Sequence, residues 1–364
     1  MTTAEGAAGG LPAAPDAAPQ APRPPALRRV VGALRTGETG AWKWSARVAV
    51  VLPAVALAFA VTVLAVKAYP AIEVNGWHFF TGSSYKIGSA YAQTVRTDGV
   101  AHPEGSSYGV LALLVGTLQT GFIAVLVALP ISIGCAFALT ERLHPWLSRP
   151  LGFTIELLAG IPSVVLGLWG VLTFGPFLAK HVYPAIAHVM PNVAFFDWFK
   201  GTVGHGEGLL TGSLVLVLMI VPIITATTAD LFRQVPPLPK EGGEALGMTD
   251  AEVASRITIP WVRSGIVGAT ALGLGRAIGE TIAIAMISGS ILHIAPNIYS
   301  PMSTIAAAIV TQLSSSLTDA TGFATATLAE MALILAVISV GVNLVARWIV
   351  HRTSRIGGAV GRGA

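Results

Sequence analysis

Six separate runs of the chain are apolar over the length of a lipid bilayer, at about 48–66, 109–139, 153–179, 209–232, 264–291 and 325–349. A helix needs about 20 such residues to cross the hydrocarbon core, and a backbone group left unpaired there costs several kcal/mol. Only helices or closed barrels satisfy that demand, and runs this long without alternation select helices. The expected fold class is all-α, a polytopic membrane protein with six transmembrane helices. Composition agrees, since 53% of the 364 residues are hydrophobic and only 11% are charged. A soluble domain carries about 25% charged residues, so this chain has too few to cover a soluble surface. Pro130, Pro162 and Pro222 fall inside the second, third and fourth runs. Each removes a backbone donor and predicts a kink.

The basic residues orient the runs. With the N-terminus cytoplasmic, sixteen of the 22 Lys and Arg fall on inner segments and five on outer ones, the last being Arg276 within a run. Cytoplasmic loops carry such an excess, so both termini are expected inside a multi-pass plasma-membrane protein. Residues 1–45, opening MTTAEGAAGGLPAAPDAAPQAPRPP, have too few large apolar groups to offset ordering entropy, and a disordered cytoplasmic tail is expected. The apolar run after it spans a bilayer and reads as an uncleaved anchor. Residues 46–350 form the transmembrane domain and 351–364 a cytoplasmic C-terminal tail. The net charge of +4 comes from residues flanking apolar runs, which argues against nucleic acid as a partner. The single cysteine, Cys135, excludes an intrachain disulfide, and the sequence has no Cys/His ligand set for a metal. No lysine follows a glycine, so there is no P-loop, and H-E-x-x-H is absent too. No catalytic residue and no cofactor are expected, and any ATP hydrolysis must come from a separate chain.

The inner loop 233–263, RQVPPLPKEGGEALGMTDAEVASRITIPWVR, is more than a connector. Prolines 236, 237 and 239 end the fourth helix, and the following Gly-Gly breaks regular continuation. Thr249 and Glu252 then have capping-box spacing, opening a short helix that runs to about Ile257 and stops at Pro260. This loop resembles the "EAA" loop of bacterial ABC-importer permeases. The match is carried by Glu241-Gly242-Gly243, three residues, Gly247, nine residues, then Ile257-Thr258-Ile259-Pro260. The resemblance implies a coupling helix that docks on an ATPase subunit. Glycines stand where the family has alanines, and each lowers helix propensity by about 1 kcal/mol.

Further runs narrow the family. YGVLALLVGTLQT (108–120), ELLAGIPSVVLGLWGV (156–171) and GIVGATALGLGRAIGETIAIAMISG (265–289) resemble phosphate-specific transport permeases of the PstC type, over roughly residues 105–350. The resemblance implies an ABC-importer permease fold that carries phosphate. The partners it implies are a second permease of the PstA type, an ATPase dimer of the PstB type and an extracytoplasmic phosphate-binding protein of the PstS type, all within membrane lipid.

Arg276 and Glu280 are the charges nearest the centre of the fifth run. An arginine at the bilayer centre costs about 2.5–3.5 kcal/mol on insertion scales. Four residues apart on a helix, the two side chains can meet, although Arg before Glu is the less favourable order. Two readings stay open. The pair is a structural neutralisation, or Arg276 offers its guanidinium fork to a passing oxyanion while Glu280 holds it or limits the affinity. In the resembling family this segment is associated with phosphate passage. Glu156 and Ser163 are further candidates for the pathway, each with an ordinary alternative as a headgroup-facing acid or a carbonyl-satisfying hydroxyl. Glu330, near the outer end of the last run, has the same two readings. Asp230 and Arg233 read as a helix-end pair. Rival functions are a permease for sulfate, molybdate or tungstate, a stand-alone secondary transporter or channel, and a membrane scaffold that carries nothing.

Overall fold

The computed structural model describes residues 25–87, 93–97, 99–191, 194–201 and 204–357. The chain divides into two compact units, Met1–Ala60 and Val61–Ala364. The first holds the opening part of helix α1 (Pro25–Asn75). Its apolar side chains, including Val50, Leu52 and Leu57, are exposed, and the Arg47 guanidinium lies 5.8 Å from the Trp44 ring centre. Of the expected tail, residues 1–24 lie outside the described residues. From Pro25 onward the backbone is helical, about twenty residues before the expected boundary. Pro25 suits a first helical position, where its missing N–H is no loss.

Six helical runs among the described residues are long and apolar enough to cross a membrane: Arg47–Asn75, Leu111–Arg142, Ser163–Val189, Leu209–Arg233, Asp250–Ile278 and Phe323–Arg352. The number matches the expectation, but two runs are displaced by breaks. Helix α2 is His78–Thr81 and α3 is Leu111–Phe137, with Pro130 inside it. Helix α4 (Pro145–Ala159) ends at Gly160, and Pro162 opens α5 (Ser163–Trp169). The third crossing therefore begins ten residues later than hydropathy suggests. A residue before proline avoids helical geometry, and Gly160 next to that position makes the break. Through π-type turns at Gly170–Phe174 and Leu178–Val182, α5 continues into α6 (Gly175–Phe177) and α7 (Tyr183–Val189).

Helix α8 (Leu209–Arg233) is unbroken despite Pro222 and is the most deeply buried of the six. It packs chiefly on α3 and then on α11 (Ile259–Ile278). Leu216, Ile220 and Ile224 of α8 meet Ala124 and Ala128 of α3 and Ala269 of α11. Within lipid, helix association comes from close packing, and small residues opposite large ones provide it. At Gly273 a methyl group would sit 2.8 Å from Ile224 Cδ1, so glycine is what admits the isoleucine. Ser132 Oγ donates to the Val221 carbonyl at 3.3 Å, linking α3 to α8 beside Pro222.

Between α8 and α11 come α9 (Pro237–Ala245) and α10 (Asp250–Val253). After α11 follow α12 (Ile282–Ile287), α13 (Ile305–Ser316) and α14 (Phe323–Gly357). The short helix expected around 303–317 is α13, and Thr304 Oγ1 caps it by accepting from Ala307 N.

At the end of the second unit away from α9 and α10, hydropathy did not anticipate two small antiparallel sheets. Strand β1 (Tyr85–Lys86) pairs with β4 (Ser107–Tyr108), and β2 (Thr94–Thr97) with β3 (Val100–Pro103). The Tyr108 ring sits between Tyr85, edge-on at 5.3 Å, and Phe323, tilted at 5.5 Å, which fastens the sheets to the start of α14. The N–H groups that open α8 are met by loop carbonyls: Leu209 N donates to Ser300 O and Leu210 N to Ile298 O. Gly208 has φ +152°, and a methyl there would lie 2.5 Å from the Tyr299 carbonyl oxygen, so this junction requires glycine.

Candidate functional site

Helix α11 stops at Ile278, two residues short of an uninterrupted turn from Arg276 to Glu280. Gly279, Glu280 and Thr281 form an unwound link before α12 begins at Ile282. The expected meeting of the two side chains on one helix face does not occur. Among the described residues no ion pair joins them, and Arg276 is exposed with no hydrogen-bond partner. Glu280 turns to the next helix instead, where its Oε1 accepts from Ala283 N at 3.3 Å. The physical reason is local. Gly279 has low helix propensity, and a carboxylate at a helix start is stabilised by free N–H groups there. Thr281 Oγ1 donates to the Gly279 carbonyl at 3.1 Å, which satisfies a group that the break releases.

A second break lies close by in the packing. Helix α5 packs on α12, and at Gly167 a methyl would sit 3.0 Å from Ala283 Cα. Ser163 lies four residues before Gly167, and Glu280 three residues before Ala283. Each break is thus about one turn from the same contact. Ser163 is half-buried, and its hydroxyl makes no hydrogen bond among the described residues. Glu156 is not part of this contact: it is exposed on α4, which packs on α8. Around the breaks the surface is apolar, with Val165 on α5, Leu272 on α11 and Ile282 on α12 all exposed. The arrangement is a lone guanidinium on an apolar face, next to two interrupted helices. It can offer a forked donor to an oxyanion without first breaking an ion pair.

The loop from α8 to α11 is built as a helical hairpin. Glu241, Gly242 and Gly243 lie within α9, so Gly-Gly does not break the chain as expected. Gly247, with φ +82°, turns the chain, and Met248 N donates back to the Gly243 carbonyl at 3.1 Å. Thr249 and Glu252 form the anticipated capping box. Pro260 does not stop the helix. It occupies the first turn of α11, and a π-type turn at Ala254–Thr258 runs α10 straight into α11. Gly243 is buried, 2.7 Å from Ile257 Cδ1 if given a methyl, so Gly243 and Ile257 seal the hairpin. Leu238 and Leu246 project from it, 76% and 81% exposed. Lys240 pairs with Glu141 at 2.6 Å and Arg142 with Asp250 at 3.3 Å, which binds the hairpin to the end of the α3 run. The Asp230–Arg233 pair forms as read, at 2.8 Å.

Sequence reasoning missed one polar link. Glu330 is buried, and its Oε2 accepts from Asn75 Nδ2 at 3.0 Å, joining the end of α1 to α14. Nothing in a linear reading connects residues 255 apart. Glu330 thus belongs to a helix–helix contact at the sheet-bearing end.

Comparison with known proteins agrees with this architecture. Residues 128–355 match the family model described as "Binding-protein-dependent transport system inner membrane component". The "Phosphate transport system permease protein PstC 1" of Mycobacterium tuberculosis is 53% identical over 334 residues, covering 90% of this chain and 99% of that protein. The "Phosphate transport system permease protein PstC" of Pasteurella multocida is 38% identical over 254 residues, covering 70% of this chain and 78% of that one. The chain therefore belongs to the binding-protein-dependent transport system inner-membrane components, and within them to the PstC family of phosphate transport system permeases.

Proposed function

We propose that this chain is the permease subunit of an ATP-driven phosphate importer and forms the phosphate pathway with a second permease subunit. The observation that supports it best is similarity over nearly the full chain to proteins named as phosphate transport permeases. Within that reading, Arg276 is the pathway cation. It needs no titration to stay charged, and its fork matches two phosphate oxygens at once. Glu280 shapes the site indirectly, by opening α12 and holding the unwound link beside the arginine. Ser163 and, more remotely, Glu156 border the same passage. The exposed apolar surface around Arg276 suits a second permease of the PstA type, which would enclose the pathway between the subunits. The α9–α10 hairpin, with Leu238 and Leu246 as projecting knobs, suits a groove on an ATPase dimer of the PstB type. A phosphate-binding protein of the PstS type would deliver from the opposite side, with both termini cytoplasmic. The chain itself supplies no chemistry. ATP-driven closure of the ATPase dimer shifts the population between inward- and outward-open states, and weak, escapable binding at Arg276 lets phosphate leave.

The test is ATP-dependent uptake of labelled phosphate, sulfate and molybdate by the reconstituted four-component transporter. Wild type is expected to take up phosphate alone. Arg276→Gln is expected to lose uptake with the complex still assembled, and Arg276→Gln with Glu280→Gln is expected to stay inactive. Full recovery in the double variant would mean that the two residues act only as a neutralised pair, and the pathway assignment would fall. Uptake of sulfate or molybdate in preference to phosphate would overturn the substrate.

A further inference from the structure

The loop that follows α12 is held at both ends and free between them. At the near end Ser288 is buried, and its N–H donates to the Ile284 carbonyl at 2.8 Å while its carbonyl accepts from Met302 N at 2.8 Å. At the far end Asn297 and Ile298 are buried. Ile298 N donates to the Trp198 carbonyl at 3.1 Å, and the Ile298 carbonyl accepts from Leu210 N at 2.9 Å. Between these anchors, residues 291–296 make no hydrogen bond among the described residues. A loop whose backbone is unpaired opens at low cost, because only side-chain packing resists it. Two side chains supply that packing. Ala295 is buried in the core shared by α3, α8 and α11, and Leu292 is partly buried against the cluster that holds Tyr108 and Phe323. Ile291, His293, Ile294 and Pro296 are exposed.

Where this loop leaves α12 the backbone is strained. Gly289 has φ +74° and Ser290 φ +52°, and Ser290 is the one non-glycine among the described residues with a left-handed φ. Residues with a side chain are disfavoured there. Two long hydrogen bonds hold Ser290 in that conformation, each of 3.4 Å: its N–H donates to Ser288 Oγ and its hydroxyl to the Ala285 carbonyl. Ala285 belongs to α12, and the start of the same helix is capped by Glu280. A single helix of six residues therefore connects the strained turn to the unwound link beside Arg276. Strain stored at one position and held only by long bonds suits a hinge.

We propose that residues 291–296 form a flap over the sheet-bearing end of the phosphate pathway, closed in this structure, with Ser290 as its hinge. This rests on the pathway reading given above, in which phosphate is delivered from that side. Opening withdraws Leu292 from its cluster and lets Ser290 relax to a right-handed or extended conformation, while the anchors at Ser288 and Ile298 stay in place. Six residues reach at most about 20 Å, so the flap swings aside without unravelling α12 or the start of α8.

The experiment uses the four-component transporter in proteoliposomes, with Cys135→Ser removing the native thiol of this chain and Ile282→Cys, on the exposed side of α12, reporting access. A membrane-impermeant maleimide is added on the sheet-bearing side, and labelling at position 282 is read by mass spectrometry. Ser290→Gly relieves the strain of the closed flap. It is expected to slow labelling, and phosphate uptake by the transporter without the reporter changes, about fivefold. Leu292→Ala weakens the hold on the flap and is expected to speed both labelling and amide exchange across 291–295. Labelling and uptake unchanged in Ser290→Gly would make the left-handed turn purely structural and overturn the proposal. Faster exchange in Leu292→Ala with unchanged labelling would reveal a loop that moves but covers nothing, which also overturns it. If wild type takes up a different oxyanion while both labelling shifts remain, the substrate assignment falls and the flap stands.

Discussion

Arg276 and Gly116 illustrate how much depends on single positions here. If Arg276 binds an oxyanion in fork fashion, replacing it with lysine keeps the charge and loses the second hydrogen bond. A charge-assisted bond contributes about 1.5–3 kcal/mol, so Arg276→Lys should lower uptake by about tenfold or more, and Arg276→Gln further, as read by initial rates at saturating ATP. Gly116 lies where α3 meets the 288–304 loop, and a methyl there would sit 2.2 Å from the Ser303 carbonyl oxygen. A backbone atom cannot swing aside, so Gly116→Ala should destabilise the subunit by about 1–3 kcal/mol. Gly134→Ala, where the added methyl meets nothing, should be neutral or stabilising in the same thermal-unfolding measurement. Asp319 gives a pH-dependent contribution. Burial pushes its carboxyl up, but N–H groups of Ala324, Thr321 and Phe323 and the Thr321 hydroxyl outweigh that and leave it below the usual aspartate range. The unfolded chain keeps an ordinary value near about 3.9. The stabilisation is therefore fully present above that value and is lost as pH falls through the folded one. Asp319→Asn should flatten the acid limb of stability against pH. The charge at position 276 was legible in the sequence, because an arginine in an apolar run demands an explanation. Its lack of a partner was not, since that depends on where the helix stops.

At the scale of elements, hydropathy located six crossings, and the capping box and α13 stood where their residues place them. What failed was continuity. Gly242-Gly243 and Pro260 read as breakers, yet tertiary contacts keep the chain helical through both: Gly243 packs against Ile257, and Pro260 falls in a first turn where its N–H is not needed. Conversely, the chain breaks at Gly160–Pro162 and at Gly279, within runs that hydropathy reads as single crossings. Propensity is a weak prior wherever packing on one side and a carboxylate cap on the other decide the outcome. The hairpin offers a direct check. Gly242 is exposed with nothing near its Cα hydrogen, so Gly242→Ala should stabilise α9 by about 1 kcal/mol and slow its amide exchange. Gly243→Ala must displace Ile257 Cδ1 and should give up most of that gain. At the opposite end, Asn75→Ala leaves Glu330 buried without its donor. A loss of about 1–3 kcal/mol is expected, and Glu330→Gln should recover part of it in the same unfolding assay.

At the scale of the molecule, the family and the membrane class were readable because the runs that carry them are long and apolar. The two small sheets were not, because strands of two to four residues in a polar segment leave too short a period to see. The surface around Arg276 has a consequence for the cell rather than for transport. A subunit inserted alone would present to lipid an arginine that no carboxylate among the described residues neutralises, and water or headgroups would be drawn toward it. Such a chain is marked as unassembled by the residue proposed above as its pathway cation. Its lifetime in the membrane should follow the supply of its partner permease, and in cells lacking that partner a pulse-chase should show Arg276→Leu outlasting wild type. The residue best suited to escort an anion across the bilayer would then also act as the signal by which unpaired copies are recognised and removed.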